Sequence, residues 1–80
     1  MKRVRVRYFA LFREMAGTGE EVVQTDAGTL RALYDELQRR HRFALGDEHL
    51  KVARNMTVAN LDDSVEDNDE VVFIPPVAGG

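Results

Sequence analysis

The chain has 80 residues, 44% of them hydrophobic, a formal net charge of −3, no cysteine and two histidines, His41 and His49. A chain this short forms one core, and without cysteine it supplies no thiol nucleophile, disulfide, zinc ribbon or iron–sulfur cluster, so no metal site is expected. The basic residues are divided between the N-terminal segment and one helix end, a weak footprint for nucleic acid, and no apolar stretch approaches a membrane span of ~20 residues or a signal-peptide core, so a cytoplasmic protein with protein partners is expected.

From Arg3 to Tyr8, arginines alternate with Val4, Val6 and Tyr8, the period of a strand with one wet face. The segment Ala10 to Ala16 loses that alternation and suits a short helical turn stopped by Gly17. A second strand fits Glu21 to Thr25, close enough in sequence to pair antiparallel with the first. Thr29 is a good N-cap for a helix over Leu30 to His41, whose Leu30, Leu33, Tyr34, Leu37 and His41 share one face. Asp35 with Arg39 and Glu36 with Arg40 have the spacing of ion pairs on the wet side. The run Arg39 to Arg42 complements the negative end of the helix dipole.

Phe43 and Leu45 are expected to complete the core, Lys51 to Arg54 to form a third strand, Asn55 and Met56 to turn it, and Thr57 to Ala59 to form a fourth. Then comes an acidic stretch holding Asp62, Asp63, Glu66, Asp67, Asp69 and Glu70, either solvated or used to dock a basic surface. Val71 to Ile74 is a continuous apolar run that suits a central strand, and Pro75 and Pro76 end it, because proline has no N–H for the ladder. This order of elements indicates an α+β domain in which a mixed sheet wraps one main helix, best matched by a ubiquitin-like β-grasp. The expected domain is 1–80, a globular body over about 1–76 with an extended tail over 77–80.

The ending Val77, Ala78, Gly79, Gly80 is the strongest functional signal. Glycine lacks a Cβ, so a Gly-Gly end can thread a narrow channel and present its carboxylate to a reactive group. The prolines before it reduce the entropy lost on entry into a partner. A carboxylate is a poor acyl donor until it is activated, for example as an acyl-adenylate formed from ATP, and this chain has no phosphate loop, paired-carboxylate site or Ser/His/Asp set with which to do it. The chain is therefore expected not to be an enzyme alone.

The segment Phe9, Ala10, Leu11, Phe12, Arg13, Glu14, Met15, Ala16, Gly17 and the ending Asp69-Glu70-Val71 through Phe73, Ile74, Pro75, Pro76, Val77, Ala78, Gly79, Gly80 resemble the MoaD-type small subunits of molybdopterin synthase, within the MoaD/ThiS family of ubiquitin-like sulfur carriers. The resemblance runs from the first strand to the last residue. It implies that the Gly80 carboxylate is adenylated by an ATP-using activating enzyme and converted to a thiocarboxylate with a sulfur donor such as a cysteine desulfurase or rhodanese. The tail then enters the large synthase subunit, in an expected heterotetramer, and gives up sulfur for the dithiolene of molybdopterin.

On the same resemblance Gly79, Ala78 and Val77 are the inserted tail, and Phe73, Ile74, Pro75 and Pro76 belong to the docking surface. Phe9 and Phe12 are either core residues or part of an apolar patch. The family's usual Asp-Gly-Asp-Glu is here Asp67-Asn68-Asp69-Glu70, and asparagine is the next residue after glycine to accept a left-handed turn. Ile74 stands where a second Phe is common and keeps the strand end apolar. No removal of a C-terminal extension beyond Gly80 is expected. The rival readings are a carrier for thiamin, tRNA thiolation or cysteine synthesis, a ubiquitin-like modifier of lysines, and a non-covalent binding module.

Overall fold

The computed structural model describes residues 1–76. The elements run β1 (Lys2–Tyr8), α1 (Ala10–Ala16), β2 (Glu20–Thr25), α2 (Leu30–His41), β3 (Lys51–Arg54), β4 (Thr57–Ala59) and β5 (Glu70–Ile74). They form one five-stranded sheet in the order β2-β1-β5-β3-β4. β1 pairs antiparallel with β2 and parallel with β5, and β3 pairs antiparallel with both β5 and β4. One main helix on one face of such a mixed sheet is the β-grasp arrangement that the order of elements implied.

Alternation decides which residues face α2. Val4, Val6 and Tyr8 of β1, Val23 of β2, Val52 of β3, and Val71 and Phe73 of β5 are buried, and Leu30, Leu33, Tyr34 and Leu37 of α2 pack over them. Phe12 on α1 and Phe43 after α2 close one end, with ring centroids 4.9 Å apart. The Tyr34 ring lies 5.3 Å from Phe73 and 5.8 Å from Phe12. Burial of these rings and branched chains against one another is the main source of stability in a domain that has no disulfide. Arg3, Arg5 and Arg7 lie exposed on the opposite face, as the period of two requires.

The helix ends are built locally. Thr29 Oγ1 accepts from Ala32 N at 3.1 Å, and Arg42 closes the other end in a left-handed conformation, its N–H donating to Gln38 O. Gly17 ends α1 at φ 78°, where a side chain would be strained. The expected pair of Glu36 with Arg40 does not form. Glu36 instead accepts from the Thr25 hydroxyl at 2.8 Å, and Arg40 reaches Glu21 at 3.6 Å, because both groups find partners on β2.

The acidic stretch is neither idle nor free. Asp62 accepts from Arg31 Nε at 3.1 Å, Asp63 from Asn60 N at 2.9 Å, Glu66 from the Ser64 hydroxyl at 3.2 Å and Asp67 from Arg3 N at 2.7 Å. Glu70 stands 3.9 Å from both Arg5 and Arg7. Asp69, 4% exposed, accepts from Arg54 Nε at 2.6 Å, from Asn55 Nδ2 at 2.9 Å and from Glu66 N at 2.7 Å. Asn68 carries the expected left-handed turn at φ 69°, and its N–H donates to Arg3 O at 2.7 Å. The acids therefore seam β5 and its approach loop to β1, to the β3–β4 hairpin and to α2, and all six have intramolecular partners.

Burial works against the charged form of Asp69, but the hydrogen bonds from Arg54, Glu66 N and Asn55 outweigh it and hold the carboxyl below its ordinary value of 3.8. A depressed carboxyl pKa stabilises the fold fully above the unfolded value, and that contribution is lost as pH falls through the folded value. Asp69→Asn is therefore expected to lower stability at neutral pH and to flatten the loss of stability below pH 3.8. Urea denaturation of both proteins across the acid range, followed by circular dichroism, checks this.

Candidate functional site

Because β1 and β5 run parallel, both strands end at the same side of the sheet, with Tyr8 opposite Phe73 in the last register pair. Phe9 follows one strand, and Ile74, Pro75 and Pro76 follow the other. The chain thus leaves the body from the centre of the sheet rather than from an edge. Val77, Ala78, Gly79 and Gly80, which the sequence marks as the working tail, lie outside the described residues.

The four positions expected to dock a partner divide. Phe73 is fully buried against Tyr34, which corrects its assignment to a docking surface: it faces α2, and only the alternate residue faces out. Ile74 is 38% exposed on the opposite face, Pro75 is half-buried and Pro76 exposed. The two phenylalanines left open by the sequence also divide, Phe12 entering the core and Phe9 remaining 50% exposed beside the strand ends.

Sequence reasoning missed Val58 and Met56, which are 87% and 92% exposed. Val58 lies opposite Ala53, which lies opposite Val72, so one row of small and branched apolar residues crosses the face of the sheet that α2 does not cover. A three-residue strand is too short for alternation to reveal its outward position. Asn55 and Met56 have φ of 51° and 70°, the positive values that a two-residue type I′ hairpin turn requires at both positions. Asparagine tolerates this, and methionine does so at a cost.

Under the strand ends, on the helix side, sits a polar cluster. Glu21 of β2 accepts from the Tyr8 hydroxyl, lies 2.5 Å from His41 Nε2 and 3.6 Å from Arg40. Burial opposes the charge on Glu21, but the hydrogen bonds of Tyr8 and His41 and the charge of Arg40 hold its carboxyl below 4.5. Burial, with the adjoining carboxylate, pushes the Tyr8 phenol far up. Burial likewise pushes Tyr34 up to about 12, and its hydroxyl donates to Leu45 O at 2.6 Å. These groups tie the end of α2 to β1 and β2, and each finds its partners within the fold.

Among the described residues no group of three or more His, Cys, Asp or Glu side chains is placed to hold a metal ion, and no helix is long and apolar enough to cross a membrane. The described part of the site is a strand end with apolar residues around it.

Residues 6–80 match the model of the ThiS family. The chain belongs to the ThiS family. The molybdopterin synthase sulfur carrier subunit of Escherichia coli K12 is 39% identical over 80 residues, with 96% of this chain and 99% of that protein covered. Among solved structures, small archaeal modifier protein 1 of Haloferax volcanii superposes with a TM-score of 0.80 at 28% identity, covering 96% of this chain and all of that one. A chain from the protein–protein complex of subunits 1 and 2 of the molybdopterin-converting factor of Helicobacter pylori superposes at 0.58 with 25% identity, over 98% of this chain and 99% of that one.

The split between Phe73 and Ile74 is testable. Phe73→Ala should destabilise the fold by about 3–5 kcal/mol, the usual cost of emptying a buried aromatic site. Ile74→Ala should change stability by less than about 1 kcal/mol, since its side chain is partly solvated already. Thermal and urea denaturation of the two variants measure this directly.

Proposed function

We propose that this chain is a sulfur carrier subunit of molybdopterin synthase, and that Gly80 is the residue that carries the sulfur. The supporting observation is the conjunction of an end-to-end match to such subunits with a body that ends in a central strand followed by Pro75, Pro76 and Val77-Ala78-Gly79-Gly80. On this reading the domain is a body over 1–76 with a working tail over 77–80.

An activating enzyme transfers AMP from ATP to the Gly80 carboxylate, turning a poor acyl donor into one with a good leaving group. Sulfur from a cysteine desulfurase or rhodanese then displaces AMP and leaves a thiocarboxylate. Gly79 and Gly80 offer no side chain to obstruct entry into the large synthase subunit, where the sulfur is given up to the dithiolene of molybdopterin. Ile74, Pro75 and Pro76, with Phe9 and the row of Val72, Ala53 and Val58, supply an apolar surface for that subunit to cover. The protein does no chemistry alone, and its role is to position a terminus.

The likeness to an archaeal modifier protein favours one second reading, in which the activated terminus is joined to lysines of other proteins. The two readings separate in cells. In a bacterial strain lacking its own small synthase subunit, the chain should restore the activity of a molybdenum-cofactor enzyme such as nitrate reductase, and the Gly80 deletion should return it to the background of the empty strain. Restoration of thiamin synthesis in place of nitrate reductase would assign the chain to another sulfur pathway.

A further inference from the structure

The face of the sheet that α2 leaves uncovered has two halves. The row of Val58, Ala53 and Val72 continues onto β1 at Arg7, the register partner of Val72. Arg3 and Arg5 precede Arg7 on the same side of β1, all three exposed, at the roughly 7 Å interval of alternate strand residues. The apolar half of the face, on β4, β3 and β5, therefore abuts a line of three guanidiniums on β1.

The fold answers these charges only in part. Glu70 of β5 stands 3.9 Å from both Arg5 and Arg7, so one carboxylate is shared between two half-solvated arginines. Among the described residues the Arg3 guanidinium makes no hydrogen bond or ion pair. The acids of the loop before β5 are engaged elsewhere: Asp67 accepts from the Arg3 backbone N–H at 2.7 Å, and Asp69 from Arg54 Nε at 2.6 Å. Arg3 and Arg5 line a surface hollow of about 300 Å³ together with Val22, Asn68, Asp69 and Glu70. A chain of net charge −3 thus keeps a basic strip on this face.

We propose that the row of Arg3, Arg5 and Arg7 is the electrostatic half of the docking face, and that it takes an acidic segment of the protein partner that covers the apolar row. This rests on the reading of the chain as a carrier that docks a larger subunit. Arginine suits the task, because its planar fork donates two parallel hydrogen bonds to one carboxylate. An extended partner segment laid along β1 repeats its side chains on one face at the same interval of roughly 7 Å, so alternate acids meet successive arginines. The hollow between Arg3 and Arg5 receives the first of them. The apolar row supplies buried area, and the arginines select the partner and its register.

The flanks of the row favour a protein over a nucleic acid. Glu20 stands opposite Arg7 on β2, and Glu70 opposite Arg5 on β5, so the basic strip is one strand wide with a carboxylate on either side. A phosphate backbone draws its affinity from many cations along an extended path, and the acids flanking this strip repel it. A protein segment needs its carboxylates only over the row itself and meets Val72 beside it. Charges at the rim of such an interface act chiefly on the rate of encounter and on its salt dependence.

The test measures association of the full chain with the large subunit of molybdopterin synthase by surface plasmon resonance at low and high salt. Replacing the whole row (Arg3→Gln, Arg5→Gln and Arg7→Gln together) should lower the association rate roughly tenfold at an ionic strength of about 0.01 M and remove most of its salt dependence. Circular dichroism checks that the variant keeps its fold. Arg39→Gln, which removes one positive charge from the exposed side of α2, should leave the rate within about twofold. Equal rates and equal salt dependence for the unaltered chain and the triple variant would overturn the proposal and leave the carrier reading standing. Saturable binding of a single-stranded oligonucleotide, lost in the triple variant while association with the large subunit is unchanged, would overturn it in favour of a nucleic-acid surface. If the unaltered chain does not associate with the large subunit at all, both the carrier reading and this inference fail.

Discussion

The parallel pairing of β1 with β5 is the constraint on which the rest of this molecule depends. Val6 opposite Val71 and Tyr8 opposite Phe73 place the first and last strands side by side at the centre of the sheet. Parallel strands need a crossover, and here everything between them serves as one: the β1–β2 pair, the helix that covers the sheet, and the β3–β4 hairpin. The same pairing sends the chain out of the body at the middle of the sheet, with an apolar surface around its root. A tail leaving an edge strand would have had polar backbone groups beside it instead.

Much of this was legible in the sequence because the local signals agree with the fold. The alternation from Arg3 to Tyr8, the Thr29 cap and the helical stripe from Leu30 to Leu37 each mark an element that the structure contains within a residue or two. What alternation could not settle is where a continuous apolar run points. Val71 to Ile74 reads as uniformly apolar, yet Phe73 faces α2 and Ile74 the open face, so of the four expected docking residues Phe73 is taken into the core while Ile74, Pro75 and Pro76 keep some exposure.

Partners that are distant in sequence were hidden for a different reason. Charge spacing on a helix proposes i,i+4 pairs worth a few tenths of a kcal/mol, and a single acceptor on β2 was enough to draw Arg40 elsewhere. The acidic run shows the same limit. Composition describes it as solvated or as a docking surface, whereas hydrogen bonds to Arg3 N, Arg54 and Asn55 turn Asp67 and Asp69 into the seam that fixes the start of β5. The tail carries a signal of another kind: on the proposed reading its meaning lies in covalent chemistry, in two prolines, two glycines and a carboxylate, rather than in packing.

Body and terminus therefore divide the labour. The acidic stretch of the body is tied up within the fold, a row of apolar residues crosses the open face of the sheet, and on the proposed reading the terminus carries the reactive group. Intact-mass spectrometry of the protein after incubation with ATP, an activating enzyme of this family and a sulfur donor tests that division most directly. The account predicts exchange of one oxygen for one sulfur, located at Gly80 and absent without ATP. An unchanged mass under conditions in which the same enzyme converts its own carrier to the thiocarboxylate would contradict it.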